Sequence, residues 1–132
     1  MSHNVILVVD DSLDIRTLVK RILLMSGYSV LEAASGIEAV QLARRHCPDL
    51  IVLDLNLPGM DGLEATRQMR ADPALEDVPI LAMTAYAVAS TAALARRAGC
   101  QHVIFKPFDF DHLIDEITAL LVPGLSHAPS PA

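Results

Sequence analysis

With 132 residues, 52% of them hydrophobic, the chain has the material for one domain with a sizeable core, and no uninterrupted apolar run approaches the roughly 20 residues a membrane span needs. A formal net charge of −6 argues against a sequence-independent grip on nucleic acid, because the basic pairs Arg44-Arg45 and Arg96-Arg97 are isolated and read as solvated helix faces. The opening Met1-Ser2-His3-Asn4 lacks the basic and apolar regions of a signal peptide, which makes a cytoplasmic protein the expectation.

Val5 to Val9 is a short, β-branched apolar run ending in Asp10-Asp11, the pattern of a first strand. Ile15, Leu18, Val19, Ile22 and Leu23 then recur at helical spacing, with Asp11 or Ser12 as cap and Gly27 as stop. Tyr28 to Ala33 reads as a second, shorter strand. Ser35-Gly36 opens a helix with Ile37, Val40 and Ala43 inward, closing before Pro48. Leu50 to Asp54 is the third strand, and its lack of alternation means that both of its faces are covered. Turn chemistry follows at Pro58-Gly59 and Asp61-Gly62, with Asp61 placed to cap a weakly patterned helix from about Leu63 to Arg70.

The polar stretch Ala71 to Pro79 reads as a loop, and Ile80 to Thr84 as the fourth strand. Val88 to Ala98 is an Ala-rich helix of good propensity but little bulk, so loose packing is expected. Gly99 ends it, Val103 to Phe105 forms the fifth strand with Phe105 expected in the core, and Lys106-Pro107 closes that strand. Phe110, Leu113, Ile114, Ile117, Leu120 and Leu121 make an amphipathic stripe for the last helix. The expected limits are a folded domain over 4–122 and a disordered tail over 123–132, which has too little apolar content to order itself.

Strands alternating with helices predict an α/β domain: a doubly wound parallel sheet with helices on both faces, joined by right-handed crossovers. Ligands of such sheets bind outside the carboxyl ends of the strands. The chain places Asp10 and Asp11, Asp54, Thr84 and Lys106 at four of those ends. Three carboxylates on one rim repel; two unit charges ~4 Å apart cost about 1 to 4 kcal/mol between water-like and protein-surface dielectrics. Lys106 offers one compensating charge and a hard divalent ion offers two. All-oxygen ligands suit Mg²⁺, whereas the spacings of His46-Cys47 and Cys100-x-His102 fit no usual zinc pattern. An acidic metal site beside a lysine and a threonine hydroxyl has the equipment for phosphoryl transfer, with Asp54, alone on the central strand, as the natural acceptor. The chain has no Gly-rich phosphate-cradling loop, so bound ATP is not the expected donor.

Val8-Val9-Asp10-Asp11, Leu53-Asp54-Leu55-Asn56-Leu57-Pro58-Gly59-Met60-Asp61-Gly62, Met83-Thr84-Ala85 and Phe105-Lys106-Pro107-Phe108 together resemble the motif set of response-regulator receiver domains of two-component signalling. The resemblance covers about Asn4 to Leu121 and implies a flavodoxin-like fold with strand order 2-1-3-4-5. It further implies that Asp54 is the phosphoacceptor and that Asp11, Asp54 and the backbone carbonyl of Asn56 hold Mg²⁺, with Asp10 acting through water. Thr84, Asn56 and the Ala85 amide would contact the phosphoryl group, Lys106 would pair with its oxygens, and the Lys106-Pro107 bond would be cis. The donor would be a phosphohistidine on a histidine kinase or histidine phosphotransfer protein. The output would be binding of a downstream protein through the surface of the fourth helix, fifth strand and fifth helix, with a monomer or weak dimer as the working form. Such a domain is a switch and not a turnover enzyme. A start a few residues before strand one, and no DNA-binding segment after the last helix, fit a stand-alone regulator.

The pattern is broken at one switch position. Receivers usually carry Tyr or Phe three residues before the motif lysine, and Val103 stands there, so the aromatic part of the switch is in question. Asn56 and Tyr86 occupy family positions that influence how readily water reaches the acyl phosphate; Tyr86 reads equally well as an exposed loop tyrosine. Leu13 and Ile15 either dock the phosphodonor or, for Ile15, pack in the core. The competing readings are an aspartate-nucleophile phosphatase, disfavoured by Asn56 where an acid/base carboxylate is usual, and a flavodoxin-like small-ligand binder, disfavoured by the acidic loops after strands one and three.

Overall fold

The computed structural model describes residues 4–85 and 89–121, and the expected tail and Tyr86 lie outside the described residues. The strands are β1 (Val5–Val9), β2 (Ser29–Ala33), β3 (Leu50–Asp54), β4 (Ile80–Thr84) and β5 (His102–Phe105). Between and after them run α1 (Leu13–Met25), α2 (Gly36–His46), α3 (Gly62–Arg70), α4 (Ala89–Ala98) and α5 (Phe110–Leu121). All strand pairs are parallel and the sheet order is β2-β1-β3-β4-β5, the flavodoxin-like order that the resemblance implies.

Burial follows position in the sheet. Every residue of β3 and β4 is buried, as expected of central strands covered on both faces, while the edge strands β2 and β5 keep partly exposed residues. Side chains alternate between two core layers. Leu7, Val9, Ile51, Leu53, Ile80, Ala82 and Val103 pack with Ala39, Val40, Ala43, Ala65, Met69 and Ala95 of α2, α3 and α4. Ile6, Val8, Leu50, Val52, Leu81, Met83 and Ile104 pack with Val19 and Leu23 of α1 and Leu113 and Ile117 of α5.

Local chemistry explains where the helices start. Ser12, not Asp11, caps α1, its hydroxyl accepting from the Ile15 N–H at 3.4 Å. The Ser35 hydroxyl accepts from the Glu38 N–H at 3.2 Å, while the Glu38 carboxylate reaches back to the Ala34 N–H at 2.7 Å. Asp61 caps α3 as expected, accepting from the Glu64 N–H at 2.9 Å.

Five sequence expectations need correction. Ile37 is 56% exposed and Leu18 46% exposed, because each helix turns only a narrow stripe to the sheet and Ala39 and Val19 lie nearer its centre. Tyr28 precedes β2; its N–H still closes the turn after α1 on the Leu23 carbonyl at 3.1 Å. The stretch 71–79 holds a 3-10 turn, Pro73–Leu75, capped by Asp72, that drives Leu75 into full burial. Phe105 is 37% exposed instead of buried, because it ends the edge strand β5 and has a neighbouring strand on one side alone. The Ala-rich α4 buries Ala95 and Ala98 and leaves Leu94 45% exposed. No described helix is long and apolar enough to cross a membrane.

Candidate functional site at the carboxyl rim of the sheet

Parallel pairing carries Asp10 past the end of β1, Asp54 to the end of β3, Thr84 to the end of β4 and Lys106 just beyond β5, so residues 96 positions apart meet on one rim. Asp10, Asp11 and Asp54 each bring a carboxylate oxygen to within 4.8 Å of the others. Asp10 is 1% exposed and Asp54 4% exposed, whereas Asp11 faces solvent. Lys106 Nζ spans the cluster, 3.1 Å from Asp10 Oδ2 and 3.2 Å from Asp54 Oδ2.

Each buried carboxylate is fixed by its second oxygen. Asp54 Oδ1 accepts from the Asn56 N–H at 2.9 Å, and Asp10 Oδ1 from the Ser12 N–H at 2.9 Å. Thr84 Oγ1 donates to Asn56 Oδ1 at 3.1 Å, tying the end of β4 to the loop after β3. The Lys106 N–H donates to the Thr84 carbonyl at 2.8 Å, and the Lys106-Pro107 peptide is cis.

Charge is unevenly balanced here. Burial pushes the Asp54 carboxyl above its ordinary value, with the Asp10 charge adding to the rise and the Asn56 N–H and Lys106 opposing it. Burial alone would lower the Lys106 ammonium, but the Asp54 and Asp10 carboxylates outweigh it and raise it overall. One ammonium among three carboxylates leaves net negative charge in a half-dry pocket, and hard oxygen donors so close together fit a small divalent cation.

Two contributors escaped the sequence reading. Arg16 donates from Nη1 to the Asp10 carbonyl at 2.8 Å and from Nε to Glu32 Oε1 at 3.1 Å, and Lys20 holds the other Glu32 oxygen at 2.9 Å. The result is a brace from α1 to the ends of β1 and β2. A basic residue one turn into the helix that follows an acidic pair is the signal that would have pointed to it. Gly62 lets α3 begin against β3: a Cβ there would lie 2.6 Å from both the Asp54 carbonyl oxygen and the Leu55 Cα.

The other predicted residues are scattered. Ala85 is exposed directly after Thr84, and Asn56 is exposed at the rim. Val103 is buried within the sheet's α2–α3–α4 layer. Leu13 is 62% exposed at the start of α1, while Ile15 packs partly against the α1–α5 core. Cys47 is exposed and Cys100 buried, and both are free thiols. Beside the acidic cluster, Leu55, Asn56, Leu57, Pro58, Leu63, Thr84, Thr91 and Leu94 are among the residues lining an open groove of about 570 Å³.

Comparison with known proteins gives a class to this parallel α/β sheet with its acidic, lysine-bridged rim. The family model described as response regulator receiver domain matches residues 6–118. The polar-differentiation response regulator DivK of Brucella ovis is 36% identical over 121 residues, covering 92% of this chain and 98% of its own. Among solved structures, chemotaxis protein CheY4 of Vibrio cholerae superposes with a TM-score of 0.87 at 31% identity, covering 91% of this chain and all of that one (100%). The receiver domain of sensor histidine kinase PA1611 from Pseudomonas aeruginosa PAO1, solved with a magnesium ion coordinated in its active-site cleft, superposes with a TM-score of 0.85 at 34% identity over 91% of this chain and 98% of that one. The chain belongs to the response-regulator receiver domain family of two-component signal transduction.

Proposed function

We propose that this receiver domain is a phosphoacceptor switch that takes a phosphoryl group onto Asp54 from a phosphohistidine of a histidine kinase or histidine phosphotransfer protein. The observation that carries the reading is the state of Asp54: buried, held at one oxygen by the Asn56 N–H and at the other by Lys106, and within reach of two further carboxylates. An Asp54 oxygen attacks phosphorus, the P–O bond forms and the P–N bond breaks, and the imidazole keeps that electron pair and leaves neutral with a proton on its other nitrogen. Asp10, Asp11, Asp54 and the Asn56 carbonyl would hold Mg²⁺, which when bound neutralises charge on the phosphoryl oxygens.

The chain's own residues do the rest. Lys106 is already placed between Asp10 and Asp54 to follow the new negative charge. Thr84 trades its bond to Asn56 for a phosphoryl oxygen, assisted by the Ala85 amide. A phosphoryl group adds about −1.5 to −2 charge and three acceptor oxygens, enough to draw the end of β4 inward and bias the α4–β5–α5 surface toward a downstream protein. Asn56 and Tyr86 would set how fast water reaches the acyl phosphate. In this reading the domain works in the cytoplasm, alone or as a weak dimer, and does not turn over substrate.

Incubation of the full chain with Mg²⁺ and acetyl phosphate tests it by intact mass. Wild type should gain one phosphoryl group and Asp54→Ala none. Continuous phosphate release without a stable adduct would point instead to a phosphatase, and no adduct at all would end the proposal.

A further inference from the structure

We infer that Phe105, and not Val103, is the aromatic side chain through which this receiver reports phosphorylation, its ring turning from solvent into the groove beside Thr84 when Thr84 is drawn to the phosphoryl group. The inference rests on the phosphoacceptor reading of Asp54.

Strand register places the ring. Thr84 of β4 is the Cα partner of Phe105 on β5, just as Ala82 partners Val103 and Met83 partners Ile104. Ala82 and Val103 pack in the α2–α3–α4 layer and Met83 and Ile104 in the opposite one. Side chains alternate along a strand, so Thr84 and Phe105 stand next to each other on the α2–α3–α4 side, about one strand spacing (~4.8 Å) apart in backbone.

The ring is also mechanically tied to the site at both ends. Its covalent neighbour Lys106 carries the ammonium between Asp10 and Asp54, and the Lys106 N–H is bonded to the Thr84 carbonyl at 2.8 Å. Thr84 also lines the groove that holds Leu57, Leu63, Thr91 and Leu94 beside the polar Asp11 and Asn56. Thr84, whose hydroxyl donates to Asn56, is thus shared by the strand pair that carries the ring and by the groove.

Phe105 has reason to move and Val103 does not. Phe105 is the one aromatic among the large apolar side chains that remain exposed in the described residues, at 37%, so moving beneath α4 removes apolar surface from water. Val103 is 9% exposed, already packed, and has no ring. A valine at the usual aromatic position and an exposed phenylalanine two residues later, on the same face of the same strand, therefore describe one relocated device.

The chain has three phenylalanines, Phe105, Phe108 and Phe110, which makes the test direct. The full chain is labelled with 4-fluorophenylalanine, each resonance is assigned by a Phe→Leu variant, and Mg²⁺ with beryllofluoride serves as the phosphoryl mimic. The Phe105 resonance should move, and its H₂O/D₂O solvent shift should fall by at least half, with smaller changes at the edge-to-face pair Phe108 and Phe110. Thr84→Ser, which keeps the hydroxyl, should keep the Phe105 response, whereas Thr84→Ala should lose it at whatever beryllofluoride occupancy it reaches. Bound beryllofluoride with an unchanged Phe105 solvent shift overturns the inference and leaves Asp54 as acceptor. An equal fall in Thr84→Ala overturns the coupling through Thr84, and no bound beryllofluoride in wild type overturns both.

Discussion

Two half-buried cations sit at opposite ends of the sheet, and they are treated differently. At the amino end, Arg70 of α3 donates to the Gly99 carbonyl at 2.8 and 3.0 Å, to the Leu75 carbonyl at 2.6 Å, to the Glu76 carbonyl at 3.2 Å and to Gln101 Oε1 at 2.8 Å. At the carboxyl end, Lys106 faces two buried carboxylates, with a third beside them. Burial lowers the arginine's affinity for its proton, whereas the carboxylates raise the lysine's. The guanidinium is saturated by neutral oxygens and its corner is closed: it staples α3, the Pro73–Leu75 turn and the start of β5 together. The ammonium is outnumbered, and the negative charge it leaves uncompensated is what a divalent ion or a moving proton can answer. The closed corner and the open rim are thus told apart by saturation, since both cations are half-buried.

Breaking the closed corner should have the largest effect on stability. Arg70→Ala strands several carbonyls that have lost a charged donor, and should cost about 2–4 kcal/mol by chemical denaturation while the folded fraction keeps phosphoryl uptake. Arg70→Lys should recover only part, because a single ammonium does not span acceptors set for a planar fork. Matching losses of stability and uptake would erase the distinction between the two ends.

The open end should respond to Mg²⁺. At ~100 times its dissociation constant the ion should stabilise wild type and Arg70→Ala alike by about 2.7 kcal/mol, read as a rise in Tm. The double change Asp11→Asn with Asp54→Asn should lose most of that rise; an undiminished rise would place the ion elsewhere.

The smallest effect follows from the raised Asp54 carboxyl. Its native pKa lies above the ordinary 3.8, so the native state holds this proton more tightly than the unfolded chain does. Stability is therefore lost as pH rises from about 3.8 through the native value, and the full cost is present at neutral pH. Without Mg²⁺, Asp54→Asn should raise Tm at pH 7 by about 2–4 °C, a gain that vanishes as pH falls below that window. A Tm difference that does not change with pH would deny the cost to ionisation. The same sign predicts that wild-type phosphoryl uptake weakens in acid, because the attacking species is the carboxylate.

Much of the site was legible because it is written at strand ends. An apolar run that stops at a carboxylate, a hydroxyl or a lysine marks a rim residue without any knowledge of its partners, and this sufficed for Asp10, Asp54, Thr84 and Lys106. Arg16 was harder to read, since its target is a backbone carbonyl and only its place one turn into the helix after an acidic pair points to it. Gly62 looked like turn chemistry alone until the closeness of α3 to the Asp54 carbonyl showed why no Cβ fits. Leu75 hid in a polar stretch because a capped 3-10 turn, not a periodic helix, carries it inward.

The sequence by itself determined the succession of strands and helices, the covering of both faces of β3, and the polar residues at the rim, because hydrophobic periodicity and capping are local. Tertiary structure decided which of those residues meet, how far each carboxylate is desolvated, and that Phe105 at the sheet's edge stays partly in water while Val103 is buried. Distance, dielectric and exposure depend on neighbours brought together from across the chain, and those neighbours exist only once the sheet is assembled.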